Sequence, residues 1–172
     1  QPFDLTLHPF CRNTVGSMDW GGTIMNRYMS KDNKSRHTRK TTDMFEIASA
    51  ITIQTSVQCI AIQPNNLQEL PQVELDLLKA LPTTWDETRY IDGYPGKFVV
   101  LARRHGDQWY IAGLNAEKEV KKLTLNLPML AGQEVSYYTD NAQGYAELKT
   151  LKVDKKGQAK VTINPNGGII LK

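Results

Sequence analysis

Asp19 and Trp20, followed by two glycines, place a carboxylate beside an aromatic ring on a predicted loop. The preceding residues 14–18 predict a short strand. A strand that ends in Asp, Trp and two glycines is typical of a loop at the catalytic face of a (β/α)8 barrel. In such a loop the carboxylate would hydrogen-bond a polar ligand and the indole would stack on it. On spacing alone, a Gly-Gly turn capped by Asp19 explains the same motif.

Other catalytic and metal-binding patterns are missing from the sequence. His8, His37 and His105 lie far apart, and no Ser-His-Asp order or glycine-rich phosphate loop occurs. Cys11 and Cys59 are outside any CxxC motif, so we expect two buried free thiols rather than a metal site or a nucleophile. The sequence therefore predicts no metal ligand in this chain.

Residues 1–82 have the order of β-α units. Asp43 and Glu46 form a capping-box pattern, and apolar residues at helical spacing predict a helix from Asp43 to about Gln54. The apolar run 57–62 predicts a buried parallel strand, and a second helix is expected between Pro71 and Pro82. This order fits the last two βα units of a barrel.

Residues 83–172 read as strands and turns throughout. Period-2 alternation and turn residues at regular spacing predict an antiparallel β-sandwich. Eight strands are expected, at residues 85–92, 97–104, 108–115, 120–127, 134–140, 146–153, 158–164 and 168–172. The predicted fold class is thus an α/β segment from the end of a TIM barrel followed by an all-β antiparallel sandwich, with the boundary at residues 82/83.

Three segments resemble a known family. PTTWDETRYIDG and FVVLARRHGDQWYIAGLN, within residues 82–115, resemble the start of the C-terminal β-domain of glycoside hydrolase family 97, and RNTVGSMDW at Arg12–Trp20 resembles that family's motif at a late barrel strand. The resemblance covers nearly the whole chain and implies the C-terminal part of a bacterial α-glucosidase or α-galactosidase, retaining or inverting. The N-terminal Gln1 likewise predicts a processed or truncated product.

The resemblance has further implications for ligands and partners. It implies an oligosaccharide or α-glycoside substrate contacted by Asp19 and Trp20, and the remainder of the barrel as a partner. Calcium would be bound in the full-length enzyme by residues outside this chain. A periplasmic or secreted location is implied, and homo-oligomerisation stays open.

Catalysis by the isolated chain is not expected. Glycoside hydrolysis needs two carboxyl groups in one cleft, whereas Asp19 has no partner in the sequence. Asp86 and Glu87 are neighbours on a predicted strand and so point to opposite faces, where pairing with Arg89 or solvent is the simpler interpretation. We therefore predict no catalytic residue in this chain.

Other features favour a soluble, packed domain. The net charge of +3 and the absence of aromatics from the basic run 30–40 argue against nucleic-acid binding, and no apolar run could span a membrane. The aromatic side chains of the β-half predict core, with Trp109 largely buried; exposed coplanar rings would instead form a sugar platform. The alternative function is a stand-alone β-sandwich module for carbohydrate binding or oligomerisation.

Overall fold

Eight strands and five short helices form the chain in a computed structural model that describes all residues, 1–172. The helices are α1 (Pro2–Leu7), α2 (Arg12–Val15), α3 (Asp43–Thr52), α4 (Asn66–Glu69) and α5 (Gln72–Ala80). The strands are β1 (Glu87–Tyr94), β2 (Phe98–His105), β3 (Gln108–Asn115), β4 (Lys121–Asn126), β5 (Glu134–Asp140), β6 (Ala146–Lys152), β7 (Gln158–Ile163) and β8 (Gly168–Leu171). None of the helices has the length and hydropathy that crossing a membrane requires.

The strands form two antiparallel sheets. Six pair in the order β1-β2-β3-β8-β5-β6, and β4 pairs with β7. All eight predicted strands are present within about two residues of their expected ends, which confirms the antiparallel β-sandwich. Asp92-Gly93 is a dipeptide typical of turns, yet both residues continue β1 and the chain reverses only after Tyr94.

The six-stranded sheet has a hydrophobic cluster on each face, because successive side chains of a strand point to opposite sides. On β2, Val99 and Leu101 face α3, whereas Val100 and Ala102 face the β4-β7 sheet. The cluster beneath α3 combines Val99 and Leu101 of the sheet with helical residues from before position 82, including Ile47 and Leu77. The helical segment therefore shares one core with the sheet.

Helix α3 is buried along its whole length. It begins at Asp43 as predicted, but the capping-box interpretation was wrong. The Thr42 hydroxyl is the cap and accepts a hydrogen bond from the Phe45 N–H at 3.2 Å, while Glu46 accepts bonds from Ile24 N and the Thr41 hydroxyl instead. The sequence could not reveal this, because Thr42 and Asp43 are both good N-cap residues.

The two short strands predicted within residues 1–82, at 14–18 and 57–62, do not form as predicted. Residues 12–15 are helical rather than extended. Residues 57–62 make only isolated bridges, and Val57 and Ile62 are exposed rather than buried. A single neighbouring segment, residues 18–24, lies beside them, and Ile60 packs against the core beneath α3. They therefore lack the second partner and the second covering layer that bury a parallel strand.

Candidate functional site

Two extended segments lie side by side near the amino-terminal end of the chain and run in the same direction. Trp20 bridges Gln58 and Ile24 bridges Ala61, both in parallel register. The N–H of Cys59 donates to the Trp20 carbonyl at 3.2 Å. In sequence, α3 lies between the two segments, so the connection has the form of a β-α-β crossover.

Asp19 and Trp20 stand at the amino end of this parallel pair rather than after a strand, contrary to the geometry that the sequence suggested. Asp19 is exposed and its carboxylate makes no hydrogen bond or ion pair. Trp20 is half-buried, and a Cβ on Gly22 would lie 2.1 Å from its ring. The glycine at position 22 is therefore required for the ring to occupy this place, where the indole N–H is buried without an acceptor.

A cavity of about 420 Å³ opens at the other, carboxyl end of the pair. Ile24 and Ala61, the last bridged residues, form part of its wall. Polar groups from the following loops complete it, namely Asn26, Ser30, Lys31 and Gln63. The amide of Asn26 is fixed, because it accepts a hydrogen bond from Asn66 at 2.7 Å.

The basic loop 30–40 is mostly exposed, and Arg39 is the basic residue that departs from this. The Arg39 side chain is only 4% exposed and pairs with Asp43, whose side chain is fully buried. Its Nη1 also donates to the Ile24 carbonyl. Arg39 therefore belongs to the interior, and it fixes the start of α3 against the end of the parallel pair.

Glu74 forms a carboxyl pair with Asp43 in the interior. Its Oε1 accepts a hydrogen bond from the Ala146 N–H at 2.7 Å. Burial, followed by the negative charge of Asp43, raises the pKa of Glu74 to about 8. Glu74 Oε2 and Asp43 Oδ2 are both buried without a donor, so a proton on Glu74 avoids two negative charges beside each other in the interior.

Asp140, at the end of β5, joins the helical segment to the sheet. Its carboxylate accepts hydrogen bonds from the Thr42 hydroxyl at 2.6 Å and from the N–H groups of Met44 and Gly168 at 3.1 Å. Burial raises the pKa of Asp140 to about 6 in spite of these donors. The residue therefore works as a structural connection between α3 and β8.

The aromatic residues of the sheet do not present Trp109 as an open platform. The ring packs against the core and is partly covered on its outer side, where the guanidinium of Arg89 lies 4.8 Å from its centroid and that of Arg104 lies 6.0 Å away. Long cationic side chains cover apolar surface in this way. Tyr90 and Tyr94, in contrast, are more than half exposed.

Metal ligation finds no support in the side-chain placement. No group of three or more His, Cys, Asp and Glu side chains is placed to hold a metal ion. Both cysteines are free, and both are exposed, so the expectation of buried thiols was wrong. Cys11 follows the turn after α1 and Cys59 lies in the extended segment that nothing covers on its outer side.

Sequence reasoning missed Arg103, a buried arginine on β2. The guanidinium has no ion-pair partner, and its Nε is buried without a hydrogen bond. The sequence does indicate this burial. Alternate residues of a strand share a face, so Arg103 lies on the same face of β2 as Val99 and Leu101, which face the core beneath α3.

Comparison with known proteins finds similarity to glycosidases over both segments of the chain. Residues 84–172 match the family described as "Glycosyl-hydrolase 97 C-terminal, oligomerisation". A retaining alpha-galactosidase of Bacteroides thetaiotaomicron is 26% identical over 95% of this chain. The match takes in 26% of that protein, so the chain spans about a quarter of the length of this curated relative.

Two solved structures are similar over 99% of the chain. A beta-arabinopyranosidase is 50% identical, with a TM-score of 0.95, and the match covers 27% of its chain. A glycoside hydrolase family 97 enzyme from Pseudoalteromonas sp. strain K8, solved in complex with panose, is 18% identical with a TM-score of 0.81 over 28% of its chain and shows the fold alone. These matches include residues 1–82, so they do not favour a stand-alone sandwich module.

Proposed function

The chain belongs to glycoside hydrolase family 97, and we propose that it supplies the end of the catalytic barrel and the accessory β-sandwich of an α-glycoside hydrolase, without activity of its own. The observation that carries this proposal is the parallel pair joined through α3 and followed, after α4 and α5, by the antiparallel sandwich. One parallel pair leaves its outer edges without neighbours. In this proposal, residues 1–82 complete a (β/α)8 barrel that other polypeptide begins, and residues 83–172 form the sandwich.

The substrate in this proposal is an oligosaccharide or α-glycoside. The 26% identical relative is called an alpha-galactosidase, and the 50% identical structure is called a beta-arabinopyranosidase. We therefore include a galactoside, a glucoside and an arabinopyranoside among the substrates to be tested. A homo-oligomer formed through the sandwich is part of the proposal, supported by the word oligomerisation in the family's description.

Asp19 and Trp20 are proposed as the substrate contacts from this chain, Asp19 by hydrogen bonding and Trp20 by stacking. Barrel enzymes place their chemistry at the carboxyl ends of the strands. The 420 Å³ cavity at that end of the parallel pair, with Gln63 in its wall, is therefore a second position for sugar contact. The two positions lie on opposite ends of the pair, so substitutions distinguish them.

Calcium and location complete the proposal. Calcium takes six to eight oxygen ligands, usually several of them carboxylates, and no acidic cluster in this chain fits that requirement. Any calcium ion of the complete enzyme would thus be held by residues outside the chain. A periplasmic or secreted location is proposed from the family resemblance alone.

The deciding assay uses aryl α-glucoside, aryl α-galactoside and aryl β-arabinopyranoside with the isolated chain, with and without calcium. We expect no turnover above the blank, because hydrolysis needs two carboxyl groups in one cleft, whereas Asp19 is exposed and lines none of the described cavities. Turnover that survives repurification and is lost in Asp19→Ala would overturn the proposal.

The site assignment is tested in a polypeptide that also contains the rest of the barrel. Asp19→Ala should lower turnover there while the far-UV spectrum of the β-half stays unchanged. Gln63→Ala in the same polypeptide is the matched variant for the other end of the pair. If Gln63→Ala alone lowered turnover, the sugar contact would belong to the carboxyl end and not to Asp19.

A further inference from the structure

Arg103 is a charged residue in an interior position. Its relative exposure is 3%, and it lies on the face of β2 that α3 covers. The cross-strand neighbours of Arg103 are Thr88 and Tyr110, both uncharged at neutral pH. Burial lowers the pKa of Arg103 to about 10, which leaves the guanidinium protonated at pH 7.

No acidic group compensates this charge. Arg39, the other arginine with a buried side chain, pairs with Asp43. The exposed or half-exposed Arg89 and Arg104 both pair with Glu87. Arg103 alone among these has neither an ion pair nor a hydrogen bond. A buried charge without a partner costs several kcal/mol, so the arrangement is costly unless an anion completes it.

A cavity of about 210 Å³ gives access to the guanidinium. It lies between the end of α3, the edge strand β1 and the segment that links α1 to α2. Apolar and aromatic side chains form much of the wall, with Phe10 and Tyr90 in an edge-to-face pair at 5.9 Å. No Asp or Glu lines the cavity; its lining is Pro9, Phe10, Asn13, Thr52, Gln54, Thr88, Tyr90, Val99, Leu101 and Arg103.

A second unsatisfied donor lines the same cavity. The hydroxyl of Thr52, at the last position of α3, is fully buried and has no hydrogen-bond partner. The neighbouring Asn13 side chain is already engaged, because it accepts from Gln54 N at 3.1 Å and donates to Gln54 O at 3.2 Å. The buried donors without a partner are therefore the guanidinium and one hydroxyl, beside a partly apolar wall. The other lining side chains with an unused donor, Gln54 and Thr88, are on exposed residues.

We propose that this cavity is a binding site for a single carboxylate group, held by the guanidinium of Arg103 and the hydroxyl of Thr52. One positive charge balances one carboxylate, and the guanidinium fork matches the two carboxylate oxygens. The wall of Phe10, Val99 and Leu101 suits a short hydrocarbon stem. The group would come either from a small free carboxylate or from an Asp or Glu side chain of polypeptide outside residues 1–172.

Proton–nitrogen NMR of the arginine Nε–H groups tests the site in the complete 172-residue chain. The Arg103 signal is assigned in the unsubstituted chain, by through-bond correlation of its side-chain Nε–H with its own backbone. Sodium acetate is titrated at constant ionic strength against sodium chloride, and acetamide serves as the neutral molecule of the same shape. We expect a saturable downfield shift of the Arg103 signal with acetate alone. The Arg104 signal is the internal control, because its Nε already faces Glu87 at 3.4 Å and should move little.

A capped glutamate, N-acetylated and amidated, distinguishes the two sources. Saturation by acetate but not by capped glutamate supports a small free carboxylate, and tighter binding of capped glutamate supports a polypeptide side chain. Thr52→Val should raise the acetate Kd about 2–10-fold, the usual value of one hydrogen bond. If neither carboxylate saturates the signal, or if acetamide or chloride shifts it equally, the proposal is overturned. The titration of the unsubstituted chain decides this without any variant having to fold.

Discussion

Charged side chains in the interior of this chain are neutralised in different ways. Asp43 is paired with Arg39, and Glu74 is neutralised by protonation, because burial and the nearby Asp43 raise its pKa. Arg103 has no ion-pair partner and keeps its charge. Because a buried unpaired charge is costly, the first two residues have a structural explanation within the chain, and the third points to a ligand.

The raised pKa of Glu74 predicts a pH-dependent stability. The folded protein binds the Glu74 proton more tightly than the unfolded chain, whose glutamate has an ordinary pKa near 4.5. This contribution to the free energy of unfolding is therefore fully present below about pH 4.5 and is lost as the pH rises through about 8. Glu74→Gln keeps an acceptor for the Ala146 N–H and offers a permanent donor to Asp43. We expect the variant to be more stable than the parent at pH 8.5 and to differ little at pH 5, in urea unfolding at both pH values.

Asp76→Asn is a suitable control, because Asp76 is an exposed acid on the same helix, α5. Its pH profile of unfolding should follow that of the parent chain. A Glu74→Gln profile parallel to the parent between pH 5 and 8.5 would mean that Glu74 is ionised in the folded protein.

At the scale of elements, a glycine allows a close approach of the helical segment to the sheet. A Cβ on Gly168 would lie 2.4 Å from the Met44 carbonyl oxygen and 2.8 Å from the Phe45 Cα. The N-terminal turn of α3 therefore rests on the start of β8, where Asp140 accepts hydrogen bonds from both elements.

Gly168→Ala should separate these two elements. The added methyl group meets backbone atoms, which cannot rotate away, so we expect a loss of about 3 kcal/mol in the free energy of unfolding, the upper end of the usual cost of overpacking. Gly16→Ala is the matched control, since Gly16 is extended and has open space around its Cβ position. Denaturant unfolding that shows equal stability for both variants would contradict the packing described here.

The strands of the sandwich were predictable because their signals are local. Alternation and turn residues define β2 and β3 within the sequence FVVLARRHGDQWYIAGLN, and their neighbours in the sheet lie within the same chain. The segment 57–62 has an equally apolar sequence, yet burial of a parallel strand depends on partners on both sides. The proximity of Asp43 and Glu74 was equally invisible, because these residues are distant in sequence. Arg39 and Asp43 are only four residues apart, but Arg39 precedes α3, so helical spacing does not predict their pairing.

At the scale of the whole molecule, the helical segment and the sandwich are joined by one hydrophobic core. Trp85 packs edge-to-face against Tyr110 at 5.4 Å, and the Tyr110 hydroxyl reaches the Ala80 carbonyl at 3.4 Å. The cluster beneath α3 includes residues of the sheet that are themselves fully buried, among them Val99, Leu114 and Ile170. We therefore expect the two segments to unfold together.

Removal of residues 1–82 tests this coupling. The segment 83–172 alone would expose the face of the sheet that carries Val99, Leu101, Leu114 and Ile170, and each such side chain loses roughly 1.5–3 kcal/mol when it is no longer buried. We expect the truncated protein to unfold at a lower urea concentration than the 172-residue chain, or to self-associate through the exposed face. Urea unfolding followed by tryptophan fluorescence, with sedimentation to measure mass, distinguishes these results. A monomeric 83–172 with the unfolding midpoint of the whole chain would show that the sandwich is independent of α3, and the alternative of a stand-alone module would regain support.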